Sequence, residues 1–263
     1  MVSIIRNCKA GSDWTINELD AYNIAVVPQN ELEFFPQPIS TVDLSDLPSR
    51  ILDSYSFRDV ARDDKTAYQF MRYLDLATHP REGEESAVDD FAAEILRLLD
   101  YDDNGRVIRT RKSIDMLMCG QETYAKTDVC IVSEDSILLL LQEDKSHISR
   151  KDPEPQLVAE AIAAFQYNNK TRVKELQLSP VSEYIFPCIT LIGTVPTFYK
   201  IKVTIDLSNA VRYGIFPHEQ TIIYKFDPLF GEKRKSFGMT DISNRNKILK
   251  CYKLFKKYVY NST

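Results

Sequence analysis

The chain has 263 residues, 44% of them hydrophobic and 27% charged, with a net charge of −5 at pH 7. That length buries a sizeable core and fits one large domain, or one domain with an appended part, and the composition is ordinary for a soluble globular protein. The acidic balance excludes a chain that binds polyanions over its whole surface, but the charge is uneven: from Gly231 onward nine Lys/Arg face only Glu232 and Asp241, a surplus of +7 that leaves −12 on the remainder.

No apolar run reaches the roughly 18 residues of a membrane span. The start, Met1 to Cys8, lacks the apolar region of a signal peptide. The five cysteines, Cys8, Cys119, Cys130, Cys188 and Cys251, show neither zinc-ligand spacing nor a disulfide framework, and Cys130 and Cys188 lie in apolar runs. The expectation is a protein of a reducing compartment, cytoplasmic or nuclear, with no membrane partner.

Residues 1–80 read as an N-terminal extension that packs on a core formed by residues 81–263. Prolines at 28, 36, 38 and 48 punctuate short apolar pieces, and Lys65 to Leu76 has the pattern of a helix ending before Thr78-His79-Pro80. From Glu84 the pattern sharpens. Val88, Phe91, Ala92, Ile95, Leu98 and Leu99 recur at helical spacing and predict an amphipathic helix over 84–100. Asp102-Asp103-Asn104-Gly105 is a turn. Strands are expected at 106–112, with a ragged continuation to Met118, at 127–133 and at 136–144, the last two as a hairpin. Ile137 to Leu141 is apolar throughout, as in a strand covered on both faces.

Pro153 opens a second predicted helix, about 153–169, with Leu157, Val158, Ala161, Ile162 and Phe165 as its stripe. Strands follow at Phe186 to Thr194, Thr197 to Asp206 and Thr221 to Phe226, and a closing helix at Ile242 to Val259. The order from Glu84, αβββαβ, predicts an α/β protein with a mixed sheet and helices on both faces.

Two segments of this pattern carry chemistry. Asp128 lies in Lys126-Thr127-Asp128-Val129, and Glu143 and Lys145 follow the apolar run Leu138 to Leu141, so the acids and the lysine read D-x14-E-x-K. Side chains alternate along a strand, which turns Glu143 and Lys145 to one side and Asp144 to the other. Charges held at the end of a buried strand are costly unless paired or bound to metal. If register brings Asp128 and Glu143 together, they offer the hard oxygen ligands that Mg²⁺ takes, with water and phosphate in its other positions. Lys145 is then placed to orient a water or to stabilise charge on phosphorus. Glu85, at the edge of the first helix's buried stripe, can lean toward the sheet. Gln156 and Glu160, four residues apart on the second helix, share one side and can reach the same pocket.

In this arrangement the chain resembles the PD-(D/E)XK nuclease superfamily, with its restriction-endonuclease-like fold. The resemblance covers about residues 84–195, and the run from Gln142 through Gln156 to Gln166 looks like that of fungal members. Asp128 matches the family's first acid, Glu143 its second and Lys145 its lysine. Glu85 matches the acid of the first core helix, and Gln156, with Glu160 in reserve, the polar residue of the helix after the third strand. Thr127 stands where the motif has proline. The resemblance implies an αβββαβ core, Mg²⁺- or Mn²⁺-dependent hydrolysis of a phosphodiester in nucleic acid, DNA in most members, and a homodimer in many of them. A competing expectation is a nuclease-fold module without catalysis that binds nucleic acid or a protein partner.

Overall fold

The computed structural model describes residues 6–79, 86–134, 136–143 (for Glu143 the backbone only) and 152–260. Its centre is a seven-stranded mixed sheet flanked by helices. The elements in chain order are α1 (Ile16–Ala21), β1 (Ile24–Pro28), α2 (Glu31–Phe34), α3 (Ser49–Asp53), α4 (Lys65–Thr78), α5 (Ala87–Leu98), β2 (Val107–Met118), β3 (Gln121–Val132), β4 (Ile137–Glu143), α6 (Glu154–Lys174), β5 (Glu183–Ile192), β6 (Val195–Thr204), α7 (Ile205–Tyr213), β7 (Thr221–Phe226) and α8 (Ile242–Tyr260).

The strands lie in the order β1-β7-β6-β5-β4-β3-β2. β4 runs parallel to β5 and β1 parallel to β7; the other pairs are antiparallel. The β4–β5 crossover is made by α6, as a parallel pair requires. The segment before residue 80 supplies an edge strand, β1, and core residues as well. Phe34 stacks on Phe226 with ring centres 5.6 Å apart, and Phe35 meets Phe198 and Phe226 edge-on.

Two apolar clusters cover the two faces of the sheet. One joins α4, α5 and α8 to Val129, Ile131, Leu139 and Leu141. The other joins α6 and α7 to Ala125, Cys130, Leu140 and Cys188. Leu138 to Leu141 are therefore buried on both sides of β4, as a central strand must be.

β2 and β3 form one long hairpin through Cys119 and Gly120, both at positive φ. Sequence reading ended the strand pattern near Met118 and resumed it at Thr127; the polar stretch between belongs to the hairpin's exposed end. These two strands also change face along their length. Ile114, Met116 and Met118 pack in the α6 cluster, but Ile108, also even-numbered, packs against the opposite one. On β3, Ala125 packs toward α6 while Val129 and Ile131 pack away from it. Period-two alternation forbids this in a regular strand. On β2 the change falls where Arg111 takes φ 52°, a left-handed conformation unusual for a side chain without a local hydrogen-bonding group. Asp128 sits within the corresponding stretch of β3.

Helix α6 is fixed to the sheet by three amide side chains. Gln166 accepts from the Leu117 amide at 2.8 Å and donates to its carbonyl at 3.2 Å. Asn168 does the same for Ile137, at 2.8 and 2.9 Å, and Asn169 for Val181, at 2.8 and 3.1 Å. Each clasp satisfies a backbone donor and acceptor, of an edge strand at Leu117, of a strand start at Ile137 and of the segment leading into β5 at Val181. The expected strand through Asp206 stops at Thr204, whose hydroxyl accepts from the Leu207 amide and caps α7.

Candidate functional site

The β3/β4 pairing places Gln142 opposite Asp128. Gln142 is 7% exposed, and its Nε2 donates to Asp128 Oδ2 at 2.6 Å. The neighbouring Thr127 is fully buried, and its hydroxyl lies 3.1 Å from the Val129 carbonyl and 3.2 Å from that of Leu141. The single hydroxyl proton therefore has three acceptors in reach, these two carbonyls and the Glu160 carboxyl.

From Gln142 a polar row continues across the sheet beneath the start of α6. Gln142 is in register with Thr190 of β5. The Thr190 hydroxyl lies 3.5 Å from that of Tyr199 on β6, and Tyr199 donates to Glu154 Oε1 at 2.9 Å. Lys225, the register partner of Tyr199 on β7, donates to the same oxygen at 2.5 Å. Burial and the Glu154 carboxylate push the Tyr199 hydroxyl far above its ordinary range. The row lies at the carboxyl ends of the parallel strands β4 and β5, the end of an open α/β sheet where ligands bind.

α6 adds an acid over this row. Glu160 is 0% exposed; its Oε1 accepts from Gln156 Nε2 at 3.2 Å, one turn earlier, and its Oε2 has no hydrogen-bond partner among the described residues. Burial, and then the negative charge of Asp128, raise the Glu160 carboxyl well above its ordinary value, while Gln156 and Thr127 pull it down. Glu160 is therefore held toward its protonated form. The Cys130 thiol reports the same surroundings. Burial pushes it up to about 12, the Lys112 and Arg109 charges oppose that, and Glu160 adds to it.

The structure thus brings together Asp128, Gln156 and Glu160 from the sequence-predicted set. Glu143 ends β4 with its Cα in register with Leu191, and its side chain lies outside the described residues, as do Glu85 and Lys145. The buried acid of α5 is Asp89, 7% exposed. Among the described residues no group of three or more His, Cys, Asp or Glu forms a metal cluster, a set that omits those three candidates. Sequence reading missed Gln142 and the row from Thr190 to Lys225. For Gln142 the deciding fact is β3/β4 register, which the sequence of one strand does not show and which sets it, and not its neighbour, opposite Asp128.

The five cysteines are free, with Cys130, Cys188 and Cys251 buried. Among the described residues no helix is long and apolar enough to cross a membrane. No family model matches the chain. No curated protein matches it either.

Proposed function

We propose that this chain is a divalent-metal-dependent nuclease that hydrolyses phosphodiester bonds in nucleic acid, DNA in the first instance, on a restriction-endonuclease-like core. The element order α5-β2-β3-β4-α6-β5, with β4 parallel to β5, supports that core. The observation that carries the functional reading is Glu160, a wholly buried acid with one oxygen unpartnered among the described residues, close enough to Asp128 to feel its charge. A buried carboxyl oxygen without a partner costs about 1–3 kcal/mol, and a bound cation would relieve that cost.

The donor chemistry fits Mg²⁺ or Mn²⁺, which take hard oxygen ligands. Asp128 and Glu160, together with the motif acid Glu143, would hold the ion, and Glu85 is the fourth acid available to it. A bound ion would polarise a phosphoryl oxygen and lower the pKa of its water. The remaining work falls to the chain itself. Gln142 fixes the Asp128 carboxylate, and Gln156 fixes Glu160. Glu160, held toward its protonated form, would have to release that proton to serve as a ligand, so cation binding would strengthen as pH rises. Lys145 stabilises the charge that builds on phosphorus.

The test is cleavage of single-stranded and duplex DNA, and of RNA, in Mg²⁺ or Mn²⁺. Asp128→Asn and Lys145→Ala should each abolish metal-dependent cleavage while leaving the melting temperature near that of the parent. Undiminished cleavage by both purified variants overturns the proposal. Intact nucleic-acid binding with no cleavage by the parent chain leaves a non-catalytic binding module.

A further inference from the structure

The nine cations from Gly231 onward are mostly used within the fold. Arg234 pairs with Asp241, Lys235 with Asp227, Lys247 with Glu232, Lys253 with Asp46 and Lys256 with Asp103. Lys257 reaches Gln37, and Arg245 is buried against the carbonyls of Ser54 and Met239. The basic segment singled out from sequence is therefore largely neutralised where it lies.

The β2/β3 hairpin is different. Arg109, Arg111 and Lys112 on β2 and Lys126 on β3 make no ion pair among the described residues. Arg109, Arg111 and Lys126 are exposed, and Lys112 lies over the Tyr167 ring of α6, 4.9 Å from its centre. Register sets Arg109 opposite Cys130, Lys112 opposite Thr127 and Lys126 opposite Ser113. From Val107 to Ile114 and from Tyr124 to Ile131, Asp128 is the one acid. The hairpin's other acids, Asp115 and Glu122, stand nearer its far end.

Two features bind this group to the candidate site. The Arg109 and Lys112 charges are felt at Cys130, as is that of Glu160, so the cations border the face that holds Asp128. β2 is also an outer strand of the sheet. Its Leu117 end is closed by Gln166, and the turn beyond it by the Val211 and Arg212 carbonyls, which accept from Cys119 and Gly120. The stretch that carries the cations has no such cover among the described residues.

We propose that the basic edge formed by Arg109, Arg111, Lys112 and Lys126 is the track for the phosphodiester backbone of a nucleic-acid strand, leading it to Asp128. This rests on the nuclease reading and adds to it the surface that receives substrate. Four cations that make no ion pair among the described residues, with Asp128 as the one acid in their stretch of the hairpin, form an electrostatic footprint for a polyanion, and contacts of that kind set orientation without reading sequence. The left-handed turn at Arg111 changes which face of β2 carries its side chains and spreads the cations around the strand. Edge lysines and arginines also prevent strands of different molecules from pairing, and the experiment separates the two roles.

Arg109→Gln, Arg111→Asn, Lys112→Gln and Lys126→Gln are combined; asparagine suits position 111 because it tolerates positive φ. A second protein carries Lys233→Gln, Lys250→Gln and Lys257→Gln. Fluorescence anisotropy with a labelled single-stranded DNA and its duplex is followed from about 50 to about 200 mM salt. The fourfold variant should bind the form that the parent binds about tenfold or more weaker at low salt, with a salt slope flattened by about three. The tail variant should bind as the parent does. Lys126→Gln alone, on a paired strand, should show a smaller loss in the same direction and guards against a folding defect. Parent-like affinity and slope in the fourfold variant overturn the proposal and leave edge protection as the role of these residues. Asp128→Asn keeps the readings apart: it should bind DNA at least as well as the parent while failing to cut it. Equal cleavage by the parent and the fourfold variant removes the track and spares the nuclease.

Discussion

Gln142 donates to Asp128 across the β3/β4 pair at 2.6 Å, with Asp128 half-buried and Gln142 almost wholly so. A neutral amide that holds an acid in one orientation prepares the carboxylate without neutralising it. Its charge then acts on the next acid, Glu160, and that coupling has a measurable consequence.

Glu160 binds its proton more tightly in the folded protein than in the unfolded chain, because burial and Asp128 raise it well above its ordinary 4.5. From that pH upward the native state holds a proton that the unfolded state has released, so stability falls as pH rises, by up to about 1.4 kcal/mol per unit, until the folded carboxyl also ionises. Glu160→Gln keeps the shape and removes the titration. In metal-free buffer the variant should gain on the parent as pH rises above 4.5, the ordinary value of the carboxyl. Chemical denaturation at several pH values reads this directly. Parallel profiles would show that Glu160 is not held protonated.

The Asn168 clasp holds both backbone groups of Ile137, a fully buried residue. Asn168→Ala leaves a buried N–H and a buried C=O unsatisfied, at about 1–3 kcal/mol each. The total loss should be about 2–5 kcal/mol by urea denaturation. Asn169→Ala opens the equivalent clasp on half-buried Val181, where water replaces the amide, and should cost about 1 kcal/mol. Equal losses at the two positions would refute burial as the deciding factor.

Arg245 is a cation with no exposure; its guanidinium donates to the Ser54 and Met239 carbonyls, and burial lowers it to about 10. It ties α8 to the chain just beyond α3. Arg245→Ala should destabilise by about 3 kcal/mol, since two carbonyls lose a charged donor. Protease cutting should appear first near Ser54. Loss of stability without cutting there would place the damage elsewhere.

Helices and strands with one clear period were legible in the sequence. Val88 to Leu99 and Leu157 to Phe165 gave α5 and α6, and Thr221 to Phe226 gave β7 at its observed bounds. Within the first eighty residues the helix read from Lys65 is α4, but β1 and the Phe34-Phe35 pair were not legible, because they are short and owe their place to partners almost two hundred residues away. The start of β3 was left out of the strand pattern because Gln121 to Lys126 has no apolar repeat, although Ile114, Met116 and Met118 opposite it are buried. At the site, Asp128 and the Gln156/Glu160 pair were singled out from sequence, but Gln142 was not: it lay beside a glutamate that matched a motif, and register, invisible in one strand, decides which of the two meets Asp128. The relative weight of Gln156 and Glu160 was likewise a matter of burial. Charge counting drew attention to the tail, since a count by sequence cannot see that Asp46, Asp103 and Asp227 arrive to neutralise it.

The three clasps of α6 take hold of peptide groups and of nothing else. Every residue except proline offers that same pair of groups, whatever its side chain. The joint between helix and strands is therefore indifferent to the identities of residues 117, 137 and 181. The outward residues of β2 and the acids of the polar row can be exchanged for others without the mounting of α6 being redesigned. A scaffold joined in this way keeps its shape while the chemistry on it is rewritten.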